Sequence, residues 1–393
     1  MVAVTSVGRC GRAAASVGRR TVLFFGNVPY ETCWQRPQQL ARGLARRTPV
    51  LYVNPHRSVG HRWLRRPLAV EALPGKDGPL QLLEPPAGFP LARTLGWLHR
   101  LNCRRTWRCL CRHFPRPLAH SLRAAVATFP DQWELIRRLP PEVPVVYDIM
   151  DDFILFLRPW QCRRYAAMHA ALLKRANLVL TSSRVLHCRH RHLAGRLVYL
   201  GNGVSEQLWR ACSAVEPDRE LLALPSPRLG YVGMLSHWMD FKVIRALAAA
   251  FPHGSIVLVG PRDLPVPPLP ANVHVCPAVR QERLPGILRA FDLGLIPFVR
   301  SPGIDAVNPV KLYEYLAAGL PVLAADFAEM RGHARHAALY CSPAEAVAQA
   351  RMLLTGRPTP QLVDQRREYA AAHTWERLAD RLWRLLGDVD RQR

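Results

Sequence analysis

The chain alternates between short apolar runs and longer amphipathic stretches, with glycine or polar turns between them. Candidate strands in the first half are Thr21–Phe25, Val50–Val53, Val145–Ile149, Leu178–Thr181 and Leu197–Leu200. In the second half they are Arg228–Val232, Ser255–Val259, Val273–Cys276, Leu293–Pro297 and Val322–Ala324. Several are β-branched runs without polar alternation, as expected of parallel strands buried on both faces. Helices are predicted between them, including Pro37–Arg47, Trp160–Arg175, Lys242–Phe251 and Pro285–Ala290. Such alternation argues for βαβ units with right-handed crossovers, and so for an α/β fold of doubly wound parallel sheets.

The pattern breaks from Ser205 to Arg228, a stretch without strand character that carries Pro217, Pro225 and Pro227. Two doubly wound units joined there fit the lengths better than one closed (β/α)₈ barrel, which stays as the alternative. The expected organisation is a mobile basic tail over 1–20, an N-terminal Rossmann-like domain over 21–205 and a linker over 206–227. A C-terminal Rossmann-like domain follows over 228–360, and helices over 361–393 pack back across the domains. Ligands of open parallel sheets sit beyond the carboxyl ends of the strands, so the cleft between two such sheets is the expected site.

Composition narrows the partners. Of 393 residues, 49% are apolar, enough for sizeable cores, and 54 basic against 29 acidic residues give a net charge of +25. That excess favours anionic partners: nucleotides, phosphorylated lipids, acidic membranes or nucleic acid. A nucleic-acid binder would need a reading module or an aromatic stacking platform, and the sequence shows neither. No apolar run approaches the roughly 20 residues that span a bilayer, and the first 20 residues lack the apolar core of a secretory signal. The ten cysteines form no CxxC pair. They read as reduced cytoplasmic thiols, with Cys109, Cys111 and His113 the nearest approach to a metal pattern.

The stretch AVNPVKLYEYLAAGLPVLA, Ala306 to Ala324, carries the most chemistry. Asn308 is a competent N-cap, Pro309 suits the first helical position, and Gly319 with Pro321 stops the helix before a buried strand. Lys311 and Glu314, three residues apart, share one face of an otherwise apolar helix. A helix N-terminus attracts phosphate, Lys311 adds a full charge there, and Glu314 can accept two hydrogen bonds from a ribose diol. The plain alternative is an exposed ion pair of little energetic weight.

Other predicted strands also end in glycine. Gly233 is followed by His237, Trp238 and Asp240, and Gly260 ends the next strand. In the first half Gly26 and Asn27 end a strand, and Trp34, Arg36 and Gln38 lead into a helix. Neither a GxGxxG fingerprint nor a P-loop is present. Asp148, Asp151 and Asp152 lie at and just beyond a strand end. There a carboxylate can orient an acceptor hydroxyl or donor sugar, and another can cap a helix.

Taken together, NPVKLYEYLAAGLPVLA, GYVGMLSHWMDF, VVYDIMDDF, WQRPQQLARGLA and the NGV at Asn202–Val204 resemble bacterial glycosyltransferases of the GT-B fold. The similarity is to the family-4-like, teichuronic-acid-biosynthesis type and runs from about Val22 to Ala324. The resemblance implies a retaining transferase that uses a nucleoside-diphosphate sugar and no tightly bound metal. Its C-terminal domain holds the nucleotide, with Glu314 on the ribose and the preceding loop on the sugar and diphosphate. Gly233, His237, Asp240, Gly260, Asn308 and Lys311 complete that donor set. The N-terminal domain holds a glycan or lipid-linked acceptor, near Gly26, Asn27, Trp34 and Arg36. The expected catalytic carboxylates are Asp151, Asp152 and Asp305.

Two features depart from the family pattern. Relatives often carry an acid eight positions before the glutamate, where this chain has Ala306, with Asp305 beside it. Relatives often place Arg and Lys after the glycine loop, where this chain leaves Lys242 or Lys311 as the cations. A nucleotide-sugar 2-epimerase and a catalytically silent scaffold of the same fold stay open. Finally, no acid occurs between Glu84 and Asp131, and Arg93–Arg123 mixes arginine with Leu, Trp and Phe. That surface is suited to an anionic membrane, so the expected location is cytoplasmic and peripheral on the inner membrane face.

Overall fold

In this computed structural model, the structure describes residues 20–31, 34–56, 70–72, 80–89, 91–92, 94–114, 116–153, 157–356 and 358–391. Residues 1–19 of the expected basic tail, and Arg93 of the basic segment, lie outside the described residues.

Fourteen strands form two sheets among these residues. They are β1 (Thr21–Phe25), β2 (Val50–Val53), β3 (Val70–Ala72), β4 (Leu80–Leu83), β5 (Leu122–Ala127), β6 (Val145–Ile149), β7 (Leu178–Thr181) and β8 (Leu197–Tyr199). Then come β9 (Arg228–Val232), β10 (Ser255–Val259), β11 (Val273–Cys276), β12 (Leu293–Ile296), β13 (Val322–Ala325) and β14 (Ala338–Tyr340). The second sheet has the order β11-β10-β9-β12-β13-β14, and every neighbouring pair is parallel. In chain order this is 3-2-1-4-5-6, the arrangement of dinucleotide-binding sheets, with the direction of winding reversing between β9 and β12. The first sheet runs β3-β4-β2-β1-β5-β6-β7-β8. Its β4-β2-β1-β5-β6 centre is parallel, the reversal falls between β1 and β5, and β3 is an antiparallel edge.

The strands read from β-branched runs stand within one residue of expectation. Four strands escaped that reading: β3, β4, β5 and β14. β5, Leu122–Ala127, lies at the centre of its sheet and is half alanine, with Ala124, Ala125 and Ala127 fully buried. Both sides of the strand are buried, which small side chains suit, and alanine carries no strand signature in sequence.

The chain divides into two compact units, 1–149 with 156–180 and 379–393, and 150–155 with 181–378. Changeovers therefore differ from the expected boundary near 205. The stretch expected as a linker carries the helices Glu206–Ala214 and Arg219–Leu222 and lies wholly within the second unit. Leu208, Cys212 and Leu221 are the reason: all three are buried in that unit's core. At the C-terminus the Trp375–Arg391 helix begins among residues of the second unit and continues as part of the first.

Candidate functional site

The Val310–Ala317 helix follows β12 and stands at the switch point of the second sheet. Leu312, Tyr313, Tyr315, Leu316 and Ala317 bury one side of it. Its end is a Schellman turn: the N–H of Gly319 donates to Leu316 (3.0 Å) and that of Leu320 to Tyr315 (3.0 Å). Gly319 has φ +76°, a left-handed conformation that costs glycine nothing.

Its beginning differs from the sequence reading. Pro309 is the flanking residue, one position earlier than expected, and Asn308 makes no cap. The buried Asn308 amide instead donates to Glu329 Oε1 (2.9 Å), and the Asn308 carbonyl accepts from Asn202 Nδ2 (2.7 Å). Glu329 Oε2 in turn accepts from the backbone N–H groups of Arg184 (2.7 Å) and Val185 (3.3 Å). Satisfying a buried carboxylate in this way fixes the approach to the helix. Glu329 stood out little in sequence, because its hydrogen-bond partners lie 21 and about 145 residues away.

β9 and β12 pair only at Leu229–Leu293 and Gly230–Gly294, then splay. The Tyr315 hydroxyl fills the split, accepting from the Val232 N–H (3.1 Å) and donating to the Leu295 carbonyl (3.2 Å). Burial raises its pKa well above a tyrosine's ordinary value, so the proton needed for that second bond stays in place. The helix is thereby pinned to the strand ends by its own central residue.

Above this pin, Lys311 Nζ and Glu314 Oε2 form an ion pair at 2.7 Å, with side chains 24% and 13% exposed. Lys311 Cε is 3.4 Å from the position a Cβ would take at Gly233, so the lysine stem lies against that glycine. The glycines themselves are required by packing. A Cβ on Gly260 would run into the Gly233 carbonyl oxygen, and one on Gly233 would lie 2.6 Å from the Tyr231 hydroxyl.

The remaining donor-side residues separate. His237 is exposed, its ring edge-on to Trp238 and its Nδ1 3.2 Å from Ser236 Oγ. Asp240 caps the Phe241–Ala250 helix, accepting from the N–H groups of Lys242 (2.9 Å) and Val243 (3.3 Å). Asp305 accepts from the Ala328 N–H (3.0 Å) at the start of a one-turn helix. Asp152 pairs with Arg189, and Asp151 stands at the bend after β6. Both belong to the second unit, not to the first as expected.

In the first unit, Gly26 and Asn27 end β1 at that sheet's switch point. Gln132 bridges it, donating to the carbonyls of Phe25 (3.2 Å) and Gly26 (3.1 Å), and Thr128 donates to Phe25 (2.8 Å). Asn27 Oδ1 is buried and meets no donor among the described residues. Trp34 is half-buried, edge-on to Tyr30 and covered by the Arg42 guanidinium at 5.1 Å. Arg36 corrects the expectation of an acceptor contact. Its Nε and Nη2 each lie 2.8 Å from the Asp148 carboxylate, with the side chains 4% and 0% exposed. That arginine is part of the sheet's foundation, because a buried carboxylate needs such a partner.

Among the described residues no group of three or more His, Cys, Asp or Glu side chains is placed to hold a metal ion. Cys109 and Cys111 lie two residues apart on the Gly96–His113 helix and so face different ways.

No protein-family model matches the chain. It is 30% identical over 240 residues to TuaH of Bacillus subtilis strain 168, which carries the name of a teichuronic acid biosynthesis glycosyltransferase. The match covers 54% of this chain and 60% of that one, so the chain spans about three-fifths of the relative's length. The structure is similar to the sucrose-phosphate synthase of Thermosynechococcus elongatus, with TM-score 0.70, 16% identity, and 95% of this chain and all of that one covered. Anabaena Alr3699/HepE, solved with UDP and glucose, aligns with TM-score 0.62 and 14% identity over 94% of this chain and all of its own. An E. coli trehalose-6-phosphate structure with bound UDP-2-fluoro glucose aligns with TM-score 0.67 and 12% identity, over 93% and 98% of the two chains. The resemblance seen in the motifs is thus borne out, and the fold is GT-B, built of two Rossmann-like units.

Proposed function

We propose that the chain is a glycosyltransferase, moving a sugar from a nucleoside-diphosphate sugar to a lipid-linked or cell-envelope polysaccharide acceptor with retention at the anomeric carbon. The observation that carries this reading is the half-open Lys311–Glu314 pair, held at the switch point beside the glycine end of β9. In an α/β sheet of this order the switch point is where a nucleotide binds.

In this reading the second unit takes the donor and the first takes the acceptor through Gly26, Asn27 and Trp34. The diphosphate lies at the N-terminus of the Val310–Ala317 helix and draws Lys311 away from Glu314. Glu314, released, accepts from the two ribose hydroxyls. Gly233, Gly260 and Asn308 shape the backbone around the donor, and His237 stands at its rim. Transfer breaks the bond between the anomeric carbon and the diphosphate oxygen and forms one to an acceptor oxygen, whose proton passes to the departing diphosphate. The departing diphosphate takes the electron pair, and Lys311 stabilises the charge that develops there. The UDP and UDP-sugar bound by two structural neighbours support a uridine donor. The donor is a substrate, and no tightly bound cofactor or metal enters the scheme. The enzyme works at the cytoplasmic face of the inner membrane, where a lipid-linked acceptor is met.

Thermal-shift measurements against UDP-, GDP-, ADP- and dTDP-sugars test the donor site, since a ligand of the folded state raises its apparent stability. One responder is expected, and Glu314→Ala abolishes transfer. No responder, or undiminished transfer by that variant, sinks the reading. Incubating the responder alone separates transfer from 2-epimerisation, which alters the sugar with no acceptor present. Amide substitutions at Asp151, Asp152 and Asp305 test the acid roles, a catalytic one costing about a hundredfold in kcat.

A further inference from the structure

Of the large apolar side chains exposed among the described residues, four lie near one another in the first unit: Leu91, Leu95, Trp97 and Trp160. Leu91 is 66% exposed, Trp97 58% and Trp160 53%. Leu95, Trp97 and Trp160 stand at the N-terminal ends of two helices, Gly96–His113 and Pro159–Arg175, and the Leu91 carbonyl accepts from the Leu95 N–H (2.7 Å). The two ends adjoin. The Arg164 guanidinium carbon is 3.4 Å from where a Cβ of Gly96 would sit, and Arg164 Nη1 donates to the Ala92 carbonyl (3.5 Å). Trp160 stands one helical turn before Arg164 on the same side.

From this apolar tip an arginine row runs down the Gly96–His113 helix. Arg100, Arg104, Arg108 and Arg112 are all exposed and four residues apart, so they follow one side. His99, Asn102, Cys103, Thr106 and Leu110 bury the other side. No carboxylate interrupts the row, because none occurs between Glu84 and Asp131, and the Pro159–Arg175 helix has none either. The tip lies at the carboxyl edge of the first sheet. His99 Nε2 is 2.8 Å from the Asp131 carbonyl just beyond β5, and Tyr165 lies edge-on to Phe129 at 5.7 Å. Gly26 and Asn27 end β1 at that same edge.

We propose that this face docks on an anionic lipid bilayer, with Trp97, Trp160 and Leu91 entering the headgroup region and the arginine row lying along the lipid phosphates. Indole rings favour the boundary between headgroup and hydrocarbon, and long arginine side chains reach phosphate from beside it. Each arginine held at an anionic surface raises partitioning about fivefold. The charge selects the bilayer over a second copy of this chain, whose own face would present the same uninterrupted arginines. The surface also differs from the sequence expectation. Its anchor includes Trp160, outside 93–123, while Arg123 is taken up by Asp390 (2.9 Å) and the Trp383 ring (4.1 Å).

The proposal deepens the membrane setting of the function above, and its test needs no sugar transfer, so the two can fail separately. Full-length protein is floated with vesicles of phosphatidylglycerol in phosphatidylcholine and with phosphatidylcholine alone. Co-flotation with the anionic vesicles only is expected, weakening as salt is raised. Trp97→Ser with Trp160→Ser lowers that partitioning by about tenfold or more, and Arg104→Glu with Arg108→Glu removes the preference for phosphatidylglycerol. The thermal transition and transfer to a soluble acceptor stay unchanged in both variants. Wild-type protein absent from anionic vesicles, or a tryptophan variant that still floats, overturns the proposal. A concentration-dependent dimer that the tryptophan substitutions dissolve overturns it too, in favour of a second copy. Undiminished flotation without any sugar transfer strikes the function and leaves the docking face standing.

Discussion

Two ion pairs, one near the carboxyl edge of each sheet, do opposite things. Arg36 and Asp148 meet at two points, each 2.8 Å, and are almost wholly buried. Lys311 and Glu314 meet at one, 2.7 Å, and keep 24% and 13% of their surfaces open. A buried pair cannot be exchanged for a ligand without stranding a charge, whereas a pair still partly open to solvent can part at a smaller cost. Both were candidate ligand contacts by residue type, and burial separates the architectural pair from the one proposed as the site.

The sharpest break in that contrast is Arg36→Met. Removing one partner leaves Asp148 buried and unpaired, so urea unfolding should show a loss of about 3–5 kcal/mol, much of it recovered in Arg36→Met with Asp148→Leu. A loss below about 1 kcal/mol would put the two pairs in one class. Acid should also act on the first unit. His56, 2.7 Å from Thr106 Oγ1, has its pKa pushed down to about 4, first by burial and then by the charges of His99 and Arg105. It is neutral in the folded chain at a pH where the unfolded chain has already taken up the proton. Its contribution is complete above the ordinary histidine pKa of about 6.5 and is lost as pH falls toward 4, up to about 3 kcal/mol. His56→Gln should flatten the fall in unfolding free energy between those values; an unchanged slope would show that His56 does not carry it.

How much of this was legible beforehand follows the range of the interactions. Strands such as Ser255–Val259 are spelled by local β-branched runs, and the Gly319 stop by the backbone conformation it alone accepts freely. Alanine-rich β5 was not legible, since a strand buried on both sides accepts small residues that give no strand signal. The Lys311–Glu314 pair is local, three residues apart, and was read as such. Asn308 was misread as a cap because Glu329 is 21 residues on, and Arg36 as a ligand contact because Asp148 is 112 residues away. Side chains whose partners lie that far off in sequence give no periodic or spacing signal.

Glu314→Gln sharpens the open side of the comparison. Turning one of the two proposed ribose-accepting oxygens into an amide donor while keeping the shape should lower kcat/KM for the donor about a hundredfold, close to 2.7 kcal/mol of transition-state stabilisation. The unfolding free energy should move by no more than about 1 kcal/mol, because a half-open pair holds little of the fold. A stability loss matching that of Arg36→Met, with donor kinetics intact, would make Glu314 structural.

The smallest effect concerns a carboxylate that sequence placed in the site and structure places on a helix end. Asp240 accepts from the Lys242 and Val243 N–H groups, the bonds of an N-cap, and sits at the positive end of the Phe241–Ala250 helix. Asp240→Ala should therefore cost about 1 kcal/mol in urea unfolding, while Asp240→Asn and Asp240→Ser, which restore an acceptor, return most of it. Donor KM should follow none of these changes. If instead Asn fails where Asp succeeds, and the loss appears in donor KM with stability untouched, then the charge faces the donor. Asp240 would then join Lys311 and Glu314 on the open side of the contrast.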